Sequence, residues 1–259
     1  MNQAMTRRWA FLLLASMCVP MLLGSGGGGH RLPAPQSREI FPPAGGWNPR
    51  RVDHLQEMGR YLGRRTLRIE AFHAPGPPFS DEYENVEDGV GVVLEPGKLL
   101  TTARYVEGAA RLHVRTPGGQ KLSASVERLD VDAGLALLSY PAEKIPEVKP
   151  LVGFAPAFSK EEQGAKEQEV VIPFQVEGAV VSVRLATVYH FEEDALLKGV
   201  LLNGVPAFDS RGRLVALADR TALDRENTLV VTAPAAKEWL EQVPQKNGPR
   251  GTKPRGPGP

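Results

Sequence analysis

Short apolar runs separated by turn-forming residues dominate the stretch from Gly89 to Leu138. The runs are Val90–Leu94, Leu99–Thr101, Leu112–Val114, Leu122–Val126 and Leu135–Leu138. Between them stand Glu95-Pro96-Gly97, Thr116-Pro117-Gly118-Gly119 and Asp130-Val131-Asp132. β-rich runs at near-regular spacing, punctuated by Gly, Pro and Asp, predict an antiparallel barrel or sandwich. No interval is long enough for the crossover helix that a parallel pair requires.

The rest of the chain fits around this stretch. Residues 1–25 read as a secretory signal peptide: Arg7-Arg8 are followed by an apolar run from Trp9 to Leu23 and small residues at Gly24-Ser25. That run is shorter than the ~20 residues a membrane span needs. Lipid attachment at Cys18 is the lesser alternative, because Met17 precedes it and apolar residues continue past it. Residues 26–47 read as a Gly/Pro-rich linker. A helix is expected over residues 48–63, with Asn48 as cap, Pro49 in the first turn and Gly63 past the end. Its apolar face would carry Val52, Leu55, Met58 or Gly59, and Leu62.

Thr66–Phe72 alternates with period two and reads as a strand; His73–Glu87 reads as a long polar loop. A first barrel is expected over 64–140, a second barrel with a closing helix over 141–243, and a disordered tail over 244–259. In the second half, Val170–Ile172, Gly178–Val183 and Leu185–Phe191 read as strands, and Ala157–Gln168 as a charged loop. The expected fold class is therefore all-β, with one short helix at each end.

Composition excludes several functions. The chain has 259 residues and a net charge of +1, so no electrostatic case exists for nucleic acid, nor for membrane binding beyond the targeting segment. Cys18 is the single cysteine, and it falls in the signal peptide, which leaves no disulfide, no thiol nucleophile and no thiolate metal site. No H-E-x-x-H motif and no paired His or Cys spacing is present, so neither a metal nor another cofactor is expected.

Two segments resemble the trypsin-like serine peptidases, in particular their HtrA (Deg) branch. The first supplies Gly89-Val90-Gly91, Gly97, Leu100-Thr101, Val106, Gly108-Ala109, Gly118-Gly119, Ala124-Ser125-Val126, Asp130 and Leu135-Ala136-Leu137-Leu138. These match, in order, G-x-G, the T-x-x-H-V-V-x-G-A motif and D-x-x-x-D-L-A-L-L. The second, Leu201 to Leu217, is similar to G-x-S-G-G-P-L-x-D-x-x-G, with Pro206, Asp209 and Gly212 holding the register. The resemblance covers roughly Gly89–Leu138 and Gly199–Val243. It implies two antiparallel six-stranded barrels.

At the chemical positions the chain departs from that pattern. The general-base histidine falls on Arg104, the orienting aspartate on Gly134 and the nucleophile on Asn203. Arginine stays protonated and cannot take a proton. Glycine has no side chain to orient a base, and an amide is no nucleophile. The oxyanion turn also changes: Leu201 and Val205 replace glycines on either side of Gly204, and glycine is what lets such a turn expose its N–H groups. Asp132, or another acid, is expected to pair with Arg104.

The remaining histidines, His30, His54, His73, His113 and His190, are expected to be packed or solvated, and Ser210 to serve a turn. The expectation is a secreted or periplasmic pseudoprotease that takes an extended peptide or a protein between its barrels. The alternatives are a serine endopeptidase with relocated catalytic residues and an envelope assembly protein.

Overall fold

The computed structural model describes residues 40–74, 85–156, 166–177, 180–191, 194–198, 203–222 and 227–242. The segments expected as a signal peptide, as most of the linker and as the tail lie outside these residues. After the helix α1 (Val52–Leu62) come β1 (Thr66–His73), β2 (Asn85–Glu95), β3 (Lys98–Thr102), β4 (Arg111–Arg115), β5 (Lys121–Asp130) and β6 (Leu135–Ser139). A 3₁₀ turn at Ala142–Lys144 leads to β7 (Lys166–Glu177), β8 (Val180–Phe191), β9 (Asp194–Lys198), β10 (Pro206–Phe208), β11 (Leu214–Ala222) and β12 (Asn227–Thr232). The helix α2 (Ala233–Glu241) follows.

The strands form two closed barrels. The first runs β1-β2-β3-β6-β5-β4 and the second β10-β11-β12-β9-β8-β7. Every pairing between these named strands is antiparallel. Read around the circle from its own first strand, the second barrel repeats the order of the first. Closure leaves no bare edge, which is how antiparallel sheets of this size avoid templating other chains. Bulges in β2, β5, β7, β10 and β11 supply the local bends that closure needs.

Three apolar cores hold the molecule together. Leu67, Ile69, Val93, Leu99, Val114 and Leu138 fill the first barrel. Val170, Ile172, Val188, Leu197, Ala207 and Ala216 fill the second. A third cluster, including Trp47, Tyr61, Leu100, Leu135, Phe208 and Trp239, joins residues of both barrels and both helices. The second barrel is thus locked to the first by buried apolar surface, at roughly 25 cal/mol per Å² removed from water.

Several sequence expectations need correction. The helix begins at Val52 with Arg51 as its N-cap, not at Asn48. The Asn48 side chain instead accepts the Arg50 N–H at 3.0 Å, closing a local turn ahead of the helix. Gly63 is right-handed (φ −59°), because the chain turns at once through Arg64 and Arg65 into β1. Val52 is 70% exposed, whereas Tyr61 is fully buried against Trp47, 4.9 Å between ring centroids. The helix therefore faces the 209–213 turn of the second barrel: a Cβ on Gly212 would stand 2.6 Å from Tyr61. Strand β2 starts at Asn85 and β7 at Lys166, each taking residues from an expected loop. The two strands expected between Gly178 and Phe191 are one, β8, and β9 has no counterpart in the sequence reading.

Candidate functional site

Strand β3 ends at Thr102, and the tight turn that follows carries Arg104. Val106 and Glu107 donate their N–H groups to the Ala103 carbonyl at 3.0 and 2.9 Å. Ala103 in turn donates to the Gly134 carbonyl at 3.0 Å, so the turns before β4 and β6 lie side by side. Gly134 has φ +70°, a left-handed conformation.

The acid facing Arg104 is Asp219, not Asp132. Asp219 extends from β11 of the second barrel, and its Oδ2 lies 3.2 Å from Arg104 Nε. The Asp219 side chain is 11% exposed and that of Arg104 is 55% exposed. A Cβ placed on Gly134 would stand 3.7 Å from the same Oδ2. The carboxylate thus borders the space into which a side chain at position 134 would project, with Val231 Cγ2 nearer at 3.2 Å.

The third position, Asn203, meets the same neighbourhood through the backbone. Asn203 pairs with Gly89 of β2, and its carbonyl accepts the Val90 N–H at 2.9 Å. Its side-chain Nδ2 lies 3.5 Å from Glu87 Oε2, and the residue is buried. Gly204 donates its N–H to the Ala218 carbonyl at 2.8 Å, and Ala218 donates to the Val205 carbonyl at 2.9 Å. Ala218 immediately precedes Asp219, so positions 104, 134 and 203 converge on one short piece of β11. Val205 is buried, and Leu201 lies outside the described residues.

Gly204 is wedged. Its φ is +65°, and a Cβ there would meet the Val90 carbonyl oxygen at 2.3 Å and Thr101 Oγ1 at 2.4 Å. No side chain fits that gap, so glycine is required here for space as well as for torsion.

Tyr105 is the site residue that sequence reasoning missed. It follows Arg104, where the resembled motif has valine. Its hydroxyl lies 2.7 Å from Thr101 Oγ1, which also donates to the Val90 carbonyl at 2.9 Å. The ring fills the space beneath Gly89, whose missing Cβ would come within 2.3 Å of Tyr105 Cζ. Burial, only partly offset by the Thr101 hydrogen bond, pushes the Tyr105 phenol well above its ordinary pKa. The signal available in the sequence was a large aromatic at a motif position that takes valine, opposite Gly89 and Gly204.

The described histidines make other contacts, and His30 lies outside the described residues. His54 Nδ1 accepts the Asn48 N–H at 2.8 Å, and His73 Nε2 donates to the Tyr105 carbonyl at 2.9 Å. His190 Nε2 lies 3.3 Å from Gln168 Oε1, and His113 packs edge-on against Phe72. None of these contacts is with a serine. Ser210 belongs to the turn between β10 and β11, where its carbonyl accepts the Trp47 N–H at 2.7 Å. Asp209 organises that turn by accepting from the Arg211 and Arg213 N–H groups at 2.9 Å each and from Arg213 Nε at 2.7 Å.

Among solved structures, the chain is similar to the Rv3671c protease of M. tuberculosis in its active form. The identity is 19% and the TM-score 0.55, over 82% of this chain and 94% of that one. It is also similar to the inactive Ser343Ala mutant of Rv3671c from M. tuberculosis H37Rv, with 18% identity, a TM-score of 0.52, and 74% and 93% of the two chains covered. The fold is that of a trypsin-like serine protease. No protein-family model and no curated protein matches the chain. The trypsin-like fold accounts for the two barrels of identical strand order and for the seam between them.

Proposed function

We propose that this protein is a catalytically silent member of the trypsin-like fold, of the HtrA type, exported by its N-terminal segment and holding an extended peptide or a protein at the seam between its barrels. The observation that carries this reading is the Arg104–Asp219 pair at 3.2 Å. In a working triad the residue at the base position must accept the proton of the nucleophile. A guanidinium remains protonated at every accessible pH and offers donors only. Asn203 supplies an amide in place of a hydroxyl, and its Nδ2 is turned toward Glu87. An oxyanion hole alone sustains no more than about 10³–10⁴ over the uncatalysed rate. The residues flanking Gly204 argue against even that, because Val205 is β-branched and closed into the pairing with Ala218. The barrels themselves do not depend on the three altered positions, so a recognition surface can outlast the chemistry.

The test is hydrolysis of an unstructured protein together with labelling by a serine-reactive covalent probe, with Asn203→Ala as the control. No turnover and no labelling are expected in either form. Turnover that copurifies with the protein and is indifferent to Asn203→Ala would overturn the reading, and the labelled residue would then name the nucleophile.

A further inference from the structure

We infer that Arg104 anchors a carboxylate of the bound peptide, which makes acidic or free-C-terminal peptides the ligand class of this site. The inference rests on the peptide-binding reading above. Arginine carries five N–H donors and no acceptor, so whatever reaches it must bring oxygen lone pairs. Arg104 meets Asp219 through Nε, and 55% of its side chain is open to solvent. More than half of the Arg104 side chain is thus open to a ligand, while the largely buried Asp219 carboxylate holds its Nε. A planar donor fork already held on one side loses less freedom when it engages a second partner.

A peptide offers two kinds of acceptor, backbone carbonyls and carboxylates. Charge-assisted hydrogen bonds are about twice as strong as neutral ones, so the carboxylate is preferred. Glu87 limits where that carboxylate can sit. Its Oε2 lies 3.5 Å from Asn203 Nδ2, and a second negative charge beside it is disfavoured. Asp219, which meets the guanidinium at Nε, weakens the attraction, and the solvent-exposed part of the side chain remains for the ligand. The carboxylate can come from a free chain terminus or from an Asp or Glu side chain, and the same experiment separates the two.

Three sets of N-acetylated hexapeptides built from Ala, Val, Leu and Ser are titrated onto the full chain at low salt, with binding read by calorimetry. One set ends in a free carboxylate, one is amidated, and one is amidated but carries a single Glu. At least one acidic set is expected to bind about tenfold tighter than the neutral amides. The set that wins identifies the source of the carboxylate. Arg104→Gln is expected to bring the acidic peptides down to the affinity of the neutral ones. Asp219→Asn keeps Arg104 and removes a competing negative charge, so the preference for acidic peptides is expected to grow; a purely structural ion pair would show no such gain. Equal binding of all three sets overturns the inference and leaves the peptide-binding reading standing. A preference that survives Arg104→Gln overturns it as well, and binding of no peptide overturns both.

Discussion

Asp219 Oδ2 lies 3.2 Å from Arg104 Nε and 3.7 Å from the point a Cβ on Gly134 would occupy, although Asp219 belongs to the other barrel. The acid beside Arg104 thus comes from β11 and not from the turn before β6, and it links the two barrels. Because the Arg104 side chain is 55% exposed, solvent screens much of the attraction. A double-mutant cycle over Arg104→Ala and Asp219→Ala is expected to give a coupling of about 0.5–1 kcal/mol in urea unfolding. The coupling shrinks at high salt. A coupling of zero at low salt would mean that the two side chains are neighbours without an energetic link.

Gly204 and Gly108 separate torsional from steric demand. Both have positive φ, +65° and +70°. Nothing lies within 4 Å of a Cβ on Gly108, whereas one on Gly204 meets Val90 O at 2.3 Å and Thr101 Oγ1 at 2.4 Å. Gly108→Ala is expected to cost about 1–2 kcal/mol, the left-handed penalty alone. Gly204→Ala adds a clash against backbone and belongs in the rare class above about 4 kcal/mol. Thermal unfolding followed by circular dichroism orders the two, and equal Tm values would show that the Gly204 loop relaxes freely.

Much of the architecture was legible because it is written locally. Leu99–Thr101 and Leu135–Leu138 pair with each other in β3 and β6, and the turns at Gly97 and Gly119 fall at positive φ, where sequence placed them. The second barrel was less legible. Strand β9 has only five residues, DALLK, with no alternation to announce it, and β8 runs through a point where a break was expected. At the site, positions 104, 134 and 203 were assigned through motif register, and Arg104, Gly134 and the Asn203-Gly204 turn all adjoin Ala218-Asp219 of β11. Asp219 and Tyr105 were not assigned, because their roles depend on contacts across the barrel seam and across the core. Asp219 lies 115 positions from Arg104 in sequence, and no short-range pattern marks that meeting.

The C-terminal helix is clamped to the first barrel by Trp239. Its Nε1 donates to Asp130 Oδ2 at 3.0 Å, and Arg128 stacks over the indole with Cζ 3.9 Å from its centroid. Arg128 also donates to the carbonyls of Trp239 and Gln242 at the end of α2, where cations are favoured. Trp239→Ala is expected to cost about 3–5 kcal/mol through the cavity it leaves. Trp239→Phe keeps most of the volume and costs about 1 kcal/mol for the lost hydrogen bond. Urea midpoints of the two variants check the order.

The same clamp predicts acid sensitivity. The Ala133 N–H, and after it the Trp239 hydrogen bond, hold the Asp130 carboxyl below its ordinary range against the opposing effect of burial. A depressed carboxyl binds fewer protons folded than unfolded, so its stabilisation is full above about pH 4 and is lost as pH falls below that. Glu70 acts in the same direction. Burial opposes its charge, but hydrogen bonds from Lys121 and Arg115 hold its carboxyl low. Asp130→Asn is expected to be less stable at neutral pH and to flatten the fall in stability below about pH 4. A parallel offset at all pH values would remove Asp130 from the acid response.

The buried phenol predicts the opposite limb. Tyr105 is sealed beneath Gly89 and Gly204 with its hydroxyl on Thr101, and burial raises its pKa well past the ordinary tyrosine range. In the unfolded chain the same phenol ionises near pH 10. Above that pH the folded state keeps a proton that the unfolded state has released, so stability falls as pH rises, by at most about 1.4 kcal/mol per pH unit for one group. Tyr61 and Tyr140 are raised by burial as well, so the wild-type limb is steeper than a single group would give. Tyr105→Phe keeps the ring and leaves the Thr101 hydroxyl donating to Val90, so the loss at neutral pH is about 1 kcal/mol. Its alkaline limb is expected to be shallower by one proton. Urea unfolding at a series of pH values from neutral to about pH 11, with tyrosinate absorbance recorded on the folded protein, reads both quantities. Ionisation of Tyr105 near pH 10 in the folded state, or an unchanged alkaline slope in Tyr105→Phe, would mean that water reaches the phenol and that the packing beneath Gly89 and Gly204 does not seal it.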